Sequence, residues 1–220
     1  MQPRFVKLYY LPLKSDCAEE EFLRFLCALP SAVQARLKRL PHRKAVPALW
    51  AQILLREVLF TEAGLSEDDL AFSYGEHGKP QLSMPSVQFN YSHTDAGVAL
   101  GFSEEPVGVD VEKIRAVKQD VEKKIFTQDE LLYLEESPLL RTERFFELWT
   151  KKEAYLKMLG VGLSRPMQSF SVLDEPICSQ ITTLRRDHCY LSVASESGNP
   201  PLFLEKTQEE LKRFLFRLHR

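Results

Sequence analysis

Apolar residues recur at helical spacing through most of the first third of the chain. The opening segment differs, because it is rich in Tyr, Val and Phe and therefore predicts a strand, which ends at Pro12. The predicted helices cover residues 18–29, 31–40 and 48–63, and Gly64 ends the third of them. This part of the chain is therefore predicted to be mainly helical.

The pattern changes after residue 70 to short apolar runs separated by turn residues, which is typical of a sheet. The predicted strands cover residues 87–91, 98–102 and 107–111. Two helices follow, one over 127–136 that begins with a Thr127/Glu130 capping box and one over 141–159 that ends at Gly160. Short strands are predicted between 170 and 204, and an amphipathic helix begins at Thr207. Any boundary between two halves lies in the tight connection near Pro106.

Composition limits the classes of function. The 220 residues are 44% hydrophobic, which is enough for one sizeable core or two small packed halves. A formal net charge of -2 gives no bulk electrostatic reason to bind nucleic acid or an anionic membrane. The four cysteines show neither a CxxC pair nor zinc spacing, which favours a reducing cytoplasm. No apolar run approaches membrane-spanning length, so the protein is predicted to be neither exported nor membrane-embedded.

The predicted strand GVDVE carries two acids on one face. Its period of two places Gly108, Asp110 and Glu112 together, opposite the valines. The two carboxylates would be roughly 7 Å apart along the strand, a separation that a shared metal ion and its water can bridge. The alternative interpretation is a solvated strand face.

The predicted helix WTKKEAYLK places Trp149, Glu153 and Lys157 on one stripe, at i, i+4 and i+8. An ordinary Glu153 to Lys157 helix pair at the surface is the alternative interpretation. Neighbouring apolar residues indicate that much of this helix is packed, and a partly buried charged pair usually has a function.

Two shorter motifs lie upstream. FNYSH is a predicted strand end that places Ser92 and His93 at a turn, where short polar groups can face a ligand. EHGKP contains Lys79 between a glycine and a proline, and it is not a phosphate-binding P-loop, because the GxxxxGK[ST] pattern is absent.

Together these motifs resemble, in order and spacing, the Sfp-type phosphopantetheinyl transferases. The matching segments are GKP at 78–80, FNYSH at 89–93, GVDVE at 108–112 and WTKKEAYLK at 149–157. The resemblance implies an α+β fold of two similar halves, residues 1–106 and 107–220, related by a pseudo-twofold axis. It also implies that coenzyme A and Mg²⁺ bind in the cleft between the halves, and that a monomer suffices.

The resemblance also implies a role for each site residue. The metal-binding carboxylates would be Asp110, Glu112 and Glu153. Lys157 would contact the pyrophosphate, and Ser92 and His93 would lie near the coenzyme A phosphates. The adenine-contacting segment would be His77, Gly78, Lys79 and Pro80. The implied reaction moves the 4′-phosphopantetheine arm to a serine of an apo acyl or peptidyl carrier protein and releases adenosine 3′,5′-bisphosphate, with Glu153 as the candidate base.

One departure from the family pattern concerns the 3′-phosphate of coenzyme A. Basic residues usually lie along the helix near position 45, but here the chain reads AVPALW. The upstream candidates are Arg36, Lys38, Arg39, His42, Arg43 and Lys44, although a solvated basic face explains most of them equally well. The 3′-phosphate contact therefore stays unassigned. A basic stretch from Lys113 to Lys118, with Lys123 and Lys124 beyond it, is a candidate docking surface for an acidic carrier.

Two other functions fit the same residues. Three carboxylates and a lysine would also serve a magnesium-dependent phosphohydrolase or nucleotidyl transferase. A non-catalytic module that binds carrier proteins is the third possibility, and only the missing arginine favours it.

Overall fold

The computed structural model describes residues 5–14, 17–76, 78–84, 87–117 and 121–218. Helices and strands are mixed along these residues, which confirms the predicted α+β class. The helices are α1 (Glu19–Cys27), α2 (Ser31–Leu37), α3 (His42–Ala63), α4 (Gln128–Glu135), α5 (Arg141–Leu159) and α6 (Gln208–Leu218). The strands are β1 (Lys7–Pro12), β2 (Phe72–Tyr74), β3 (Pro80–Leu82), β4 (Gln88–Thr94), β5 (Gly97–Ser103), β6 (Val107–Lys113), β7 (Ile181–Arg186), β8 (Cys189–Ser195) and β9 (Leu202–Glu205).

Helix ends that depend on local signals agree with the prediction. α5 ends as predicted at Gly160, whose φ of 71° is a left-handed conformation that glycine adopts without strain. α4 begins with the predicted capping box, in which Thr127 and Glu130 satisfy each other's backbone N–H groups. None of the described helices combines the length and apolar character needed to cross a membrane.

The start of α3 differs from the prediction. The helix begins at His42 rather than at residue 48, and Pro47 lies inside it. A proline removes one backbone donor, but the turns on both sides of Pro47 are held by packing, because Ala45 and Leu49 are buried. Tertiary packing therefore extends the helix through a residue that local preference disfavours.

Two sheets form the centre of the molecule. One has the strand order β4-β5-β1-β9, in which β1 is antiparallel to β5 and parallel to β9. The other is antiparallel with the order β6-β8-β7, and β2 and β3 form a separate pair. β6 is thus an edge strand of its sheet.

Three apolar cores follow from the alternation of side chains along these strands. Tyr9 and Leu11 on one face of β1 pack with α3, whereas Leu8 and Tyr10 on the other face join the core between the two sheets. The third core lies between α5 and the sheet that contains β6. This layered packing fixes β6 between the first sheet and α5.

The C-terminal segment returns to the N-terminal helices. β9 pairs with β1, and Leu211, Phe214 and Leu215 of α6 join the core around α3. The division into residues 1–106 and 107–220 and the pseudo-twofold relation stay predictions.

Candidate active site

The candidate site lies where β6 and α5 pack against each other. Gly108 is at the closest approach, because a Cβ atom there would overlap the carbonyl oxygen of Ala154 and the backbone nitrogen of Met158. Only glycine lets the strand come this close to the helix. The same face of β6 carries Asp110, which is thereby directed toward α5 and Lys157.

Asp110 is the centre of a compact polar cluster. Its side chain is buried, and its Oδ1 accepts hydrogen bonds from Lys157 Nζ at 2.6 Å and from Ser92 Oγ at 2.8 Å. Its other oxygen, Oδ2, is buried without a hydrogen-bond partner among the described residues. A buried acceptor without a donor is costly, so this oxygen is suited to a cation that the site would bind.

Lys157 joins the three elements of the cluster. In addition to Asp110, its ammonium donates to the carbonyl oxygen of Val109 at 3.1 Å and to Ser92 Oγ at 3.2 Å. Its ion-pair partner is Asp110 rather than Glu153, which disagrees with the alternative interpretation of a surface helix pair. The side chain is partly buried, so the charge is available at the edge of a cleft.

The two other predicted metal ligands lie in the same electrostatic environment. Burial raises the pKa of Glu153, and the negative charges of Asp110 and Glu112 raise it further, while Lys157 opposes them. Burial also raises the pKa of Glu112, although Arg115 donates a hydrogen bond to its Oε2 at 2.8 Å. Asp110 therefore lies close enough to Glu112 and Glu153 to disfavour their charged forms.

These carboxylates do not form a preformed metal-binding site. In the part of the chain that the structure describes, no three His, Cys, Asp or Glu side chains converge closely enough to hold an ion. Asp110 is engaged by Lys157, and Glu112 is engaged by Arg115. The unpartnered Oδ2 of Asp110 and an all-oxygen donor set nevertheless fit the preferences of Mg²⁺.

A cavity of about 250 Å³ opens beside the cluster. The residues that line it are Gly78, Lys79, Asn90, Glu153, Leu156, Lys157, Gly160 and Gly162. It thus brings together Gly78, Lys79, Glu153 and Lys157, which two sequence motifs contributed separately. Pro80 begins β3 and, with Lys79, lines an adjacent pocket of about 220 Å³.

The sequence predicts Ser92 and His93 at a turn, and this prediction is wrong. Both residues lie within β4. The ladder between β4 and β5 continues to Thr94, and the turn follows at residues 95 and 96. Strand geometry places Ser92 and His93 on opposite faces. Ser92 contacts the cluster, whereas His93 lines a different cavity.

That second cavity, of about 650 Å³, is strongly cationic. Its lining residues are Leu40, Arg43, Lys44, Pro47, His93, Thr94, Asp95, Lys113 and Arg115. His93 keeps an exposed face, but the surrounding protein lowers its pKa, and the positive charges of Lys157 and Arg36 lower it further. This lowered pKa favours the neutral form of the His93 imidazole.

Sequence reasoning missed Asn90 as a site residue. Its Oδ1 accepts a hydrogen bond from the backbone nitrogen of Val109 at 2.8 Å, and its side chain is buried. The available signal was an amide side chain between two aromatic residues, Phe89 and Tyr91, of the strand motif. His77, a predicted adenine contact, and Lys118, a predicted carrier-docking residue, lie outside the described residues.

The sequence is similar to known proteins of one family. A sequence model of the 4′-phosphopantetheinyl transferase superfamily matches residues 106–203, which include Asp110, Glu112, Glu153 and Lys157. The 4′-phosphopantetheinyl transferase Sfp of Bacillus subtilis (strain 168) is 31% identical over 170 residues, 76% of this chain and 76% of that protein. Another 4′-phosphopantetheinyl transferase of Bacillus subtilis is 28% identical over 90% of this chain and 85% of its own length. The 4′-phosphopantetheinyl transferase HetI of Nostoc sp. is 28% identical over 86% of both chains.

Proposed function

Since this chain belongs to the 4′-phosphopantetheinyl transferase superfamily, we propose that it transfers the 4′-phosphopantetheine arm of coenzyme A to a serine of an apo acyl or peptidyl carrier protein. The observation that carries the proposal is the convergence of Asp110, Ser92 and Lys157 beside a cavity that Glu153 also lines. The co-product would be adenosine 3′,5′-bisphosphate. A monomer that acts in the cytoplasm is the state we propose for this reaction.

The proposed metal ligands are Asp110, Glu112 and Glu153. Magnesium bound to them would supply positive charge to offset the negative charge of the coenzyme A pyrophosphate. Binding would satisfy the orphaned Oδ2 of Asp110, and Glu112, whose Oε2 accepts from Arg115, would ligate through its other oxygen. The raised pKa values of Glu112 and Glu153 describe the protein before a cation relieves the repulsion among the acids.

The chain's own residues can move the protons of this transfer. The carrier serine oxygen forms a bond to the phosphorus that bears the pantetheine arm, while the bond from that phosphorus to the bisphosphate oxygen breaks. The serine proton passes to Glu153, whose side chain lines the cavity beside the cluster. Lys157, partly exposed at the cavity, can neutralise or protonate the departing phosphate.

The cationic cavity is the candidate site for the remaining phosphate of coenzyme A. Two of its four basic side chains are already paired, because Lys113 contacts Asp95 and Arg115 contacts Glu112. Arg43 and Lys44 have no carboxylate partner among the described residues, and both are exposed. We therefore assign the 3′-phosphate to Arg43 and Lys44, in the first turn of α3, in place of the arginine that is missing further along that helix.

This assignment predicts that loss of Arg43 and Lys44 weakens the preference for coenzyme A over dephospho-coenzyme A. The double variant Arg43→Ala/Lys44→Ala is expected to raise KM for coenzyme A about tenfold, because charge-assisted hydrogen bonds to phosphate are lost. KM for dephospho-coenzyme A, which lacks the 3′-phosphate, should not change. Arg213→Ala, an exposed change on α6, is the matched control. A variant that keeps the wild-type preference for coenzyme A would contradict the assignment.

The proposed function is tested by weighing the acceptor. Incubation of the protein with coenzyme A, Mg²⁺ and a panel of apo carriers should increase the mass of at least one carrier by one phosphopantetheine arm. Release of phosphopantetheine or nucleotide without a modified carrier would instead indicate a hydrolase. Carrier binding without any chemical change would indicate a non-catalytic module.

A further inference from the structure

The edge of β6 that faces away from β8 is closed by side chains instead of by another strand. Edge strands present unpaired backbone groups, and in β6 these include groups of Val107 and Val109. The Val109 nitrogen donates to Asn90 Oδ1, and the Val109 oxygen accepts from Lys157 Nζ. The Val107 oxygen accepts from Lys79 Nζ at 3.0 Å. Asn90 and Lys79 therefore fasten the first part of the chain to the strand that carries Asp110.

Lys79 makes a second contact that reaches α5. Its ammonium donates to the carbonyl oxygen of Lys157 at 2.8 Å. Lys157 lies in the last turn of α5, where carbonyl groups lack donors from within the helix and a cation is favourable. The Lys79 ammonium thus bridges β6 and the C-terminal end of α5. Its two partners, Val107 and Lys157, lie 28 and 78 positions later in the sequence.

The chemistry of this contact is unusual for a lysine. Within the described ranges, both hydrogen-bond partners of its ammonium are backbone carbonyls, and no carboxylate forms an ion pair with it. Burial lowers the pKa of Lys79 to about 8. Burial of an ammonium group without an opposing charge is energetically unfavourable, so we expect Lys79 to have a specific role in this contact.

We propose that Lys79 is a positioning residue, which holds β6 and the last turn of α5 in the relative placement that brings Lys157 to Asp110. The catalytic part of this proposal rests on the proposed function. It also revises what the family resemblance implies for Lys79, since an ammonium bound to two carbonyls acts on the protein rather than on the adenine of coenzyme A.

The experiment separates these roles by kinetics. Lys79→Met and Lys79→Gln are compared with the wild type and with the control variant Lys212→Met. Lys212 lies on the distant helix α6, where it pairs with Glu209 and with Glu21 of α1. A displaced catalytic group lowers kcat, so Lys79→Met should lose on the order of 10- to 100-fold in kcat while KM for coenzyme A changes less than threefold. Lys79→Gln keeps one donor group and should recover part of the loss. Lys212→Met should behave as wild type.

A second measurement does not depend on activity. Two-dimensional ¹⁵N NMR of the coenzyme A-free protein should show shifted amide resonances at Gly108, Val109 and Gly160 in both Lys79 variants and in neither of the other proteins. A tenfold rise in KM for coenzyme A with kcat unchanged would overturn the proposal in favour of direct ligand contact. Unshifted resonances would also overturn it. If the wild type transfers nothing, the proposed function fails, and the NMR comparison alone decides whether Lys79 positions β6 and α5.

Discussion

Asp110→Asn is expected to lower the rate of carrier modification by at least about 1000-fold with the fold intact. The substitution preserves the size of the side chain but removes the charge that pairs with Lys157 at 2.6 Å. It also replaces one carboxylate oxygen by an amide nitrogen, which cannot ligate a cation. Single-turnover transfer from coenzyme A to an apo carrier measures the effect, and the urea midpoint checks the fold.

Two comparisons define the result. Asp68→Asn changes an exposed acid in the short helical turn after α3 and should leave transfer unchanged. Glu153→Ala should match Asp110→Asn, and Lys157→Ala should slow transfer severely. Turnover at the wild-type rate in Asp110→Asn or in Glu153→Ala would contradict the proposed mechanism.

Lys152→Met is expected to reduce the free energy of unfolding by about 3–5 kcal/mol, which is the usual effect of removing one partner of a buried ion pair. Lys152 and Glu130 are both completely buried, with 2.8 Å between Nζ and Oε2. The Lys152 ammonium also donates to the carbonyl oxygens of Met167 and Phe170 at 2.8 and 2.6 Å. Without this ammonium, the Glu130 carboxylate would be buried with no opposing charge. Equilibrium urea denaturation measures the loss.

The preceding residue provides a matched control. Lys151 forms an i,i+4 pair with Glu147 on the more exposed side of the same helix, so Lys151→Met should cost only about 0.3–0.5 kcal/mol. The double variant Lys152→Met/Glu130→Gln should recover part of the stability, because it removes the uncompensated charge. Equal stability of Lys151→Met and Lys152→Met would show that the buried pair contributes little.

The buried pair also shows where prediction from sequence succeeds and where it stops. The capping box identified Glu130 as a residue that closes the start of α4, and this contact is present. The same carboxylate binds Lys152 and accepts from the Val172 backbone nitrogen at 2.9 Å. A capping box spans four residues and depends on local backbone geometry, whereas the other two partners depend on how α5 and the loop after it pack against α4.

The residues of the site divide in the same way. Period-two alternation in β6 determined that Gly108 and Asp110 share a face, and motif spacing identified the family that the comparisons then showed. The positions of Ser92 and His93 within a strand, the pairing of Lys157 with Asp110, and the two carbonyl partners of Lys79 were decided by tertiary structure.

The sequence alone therefore determined most helix ends, the side-chain faces and the set of chemical groups, because these follow from residue preferences within a few positions of each other. The tertiary structure decided which of those groups meet. Lys157 reaches an acid 47 positions earlier in the chain, and Lys79 reaches a carbonyl 78 positions later. Such contacts are fixed by the packing of β6 between α5 and the first sheet, and no local pattern encodes that packing.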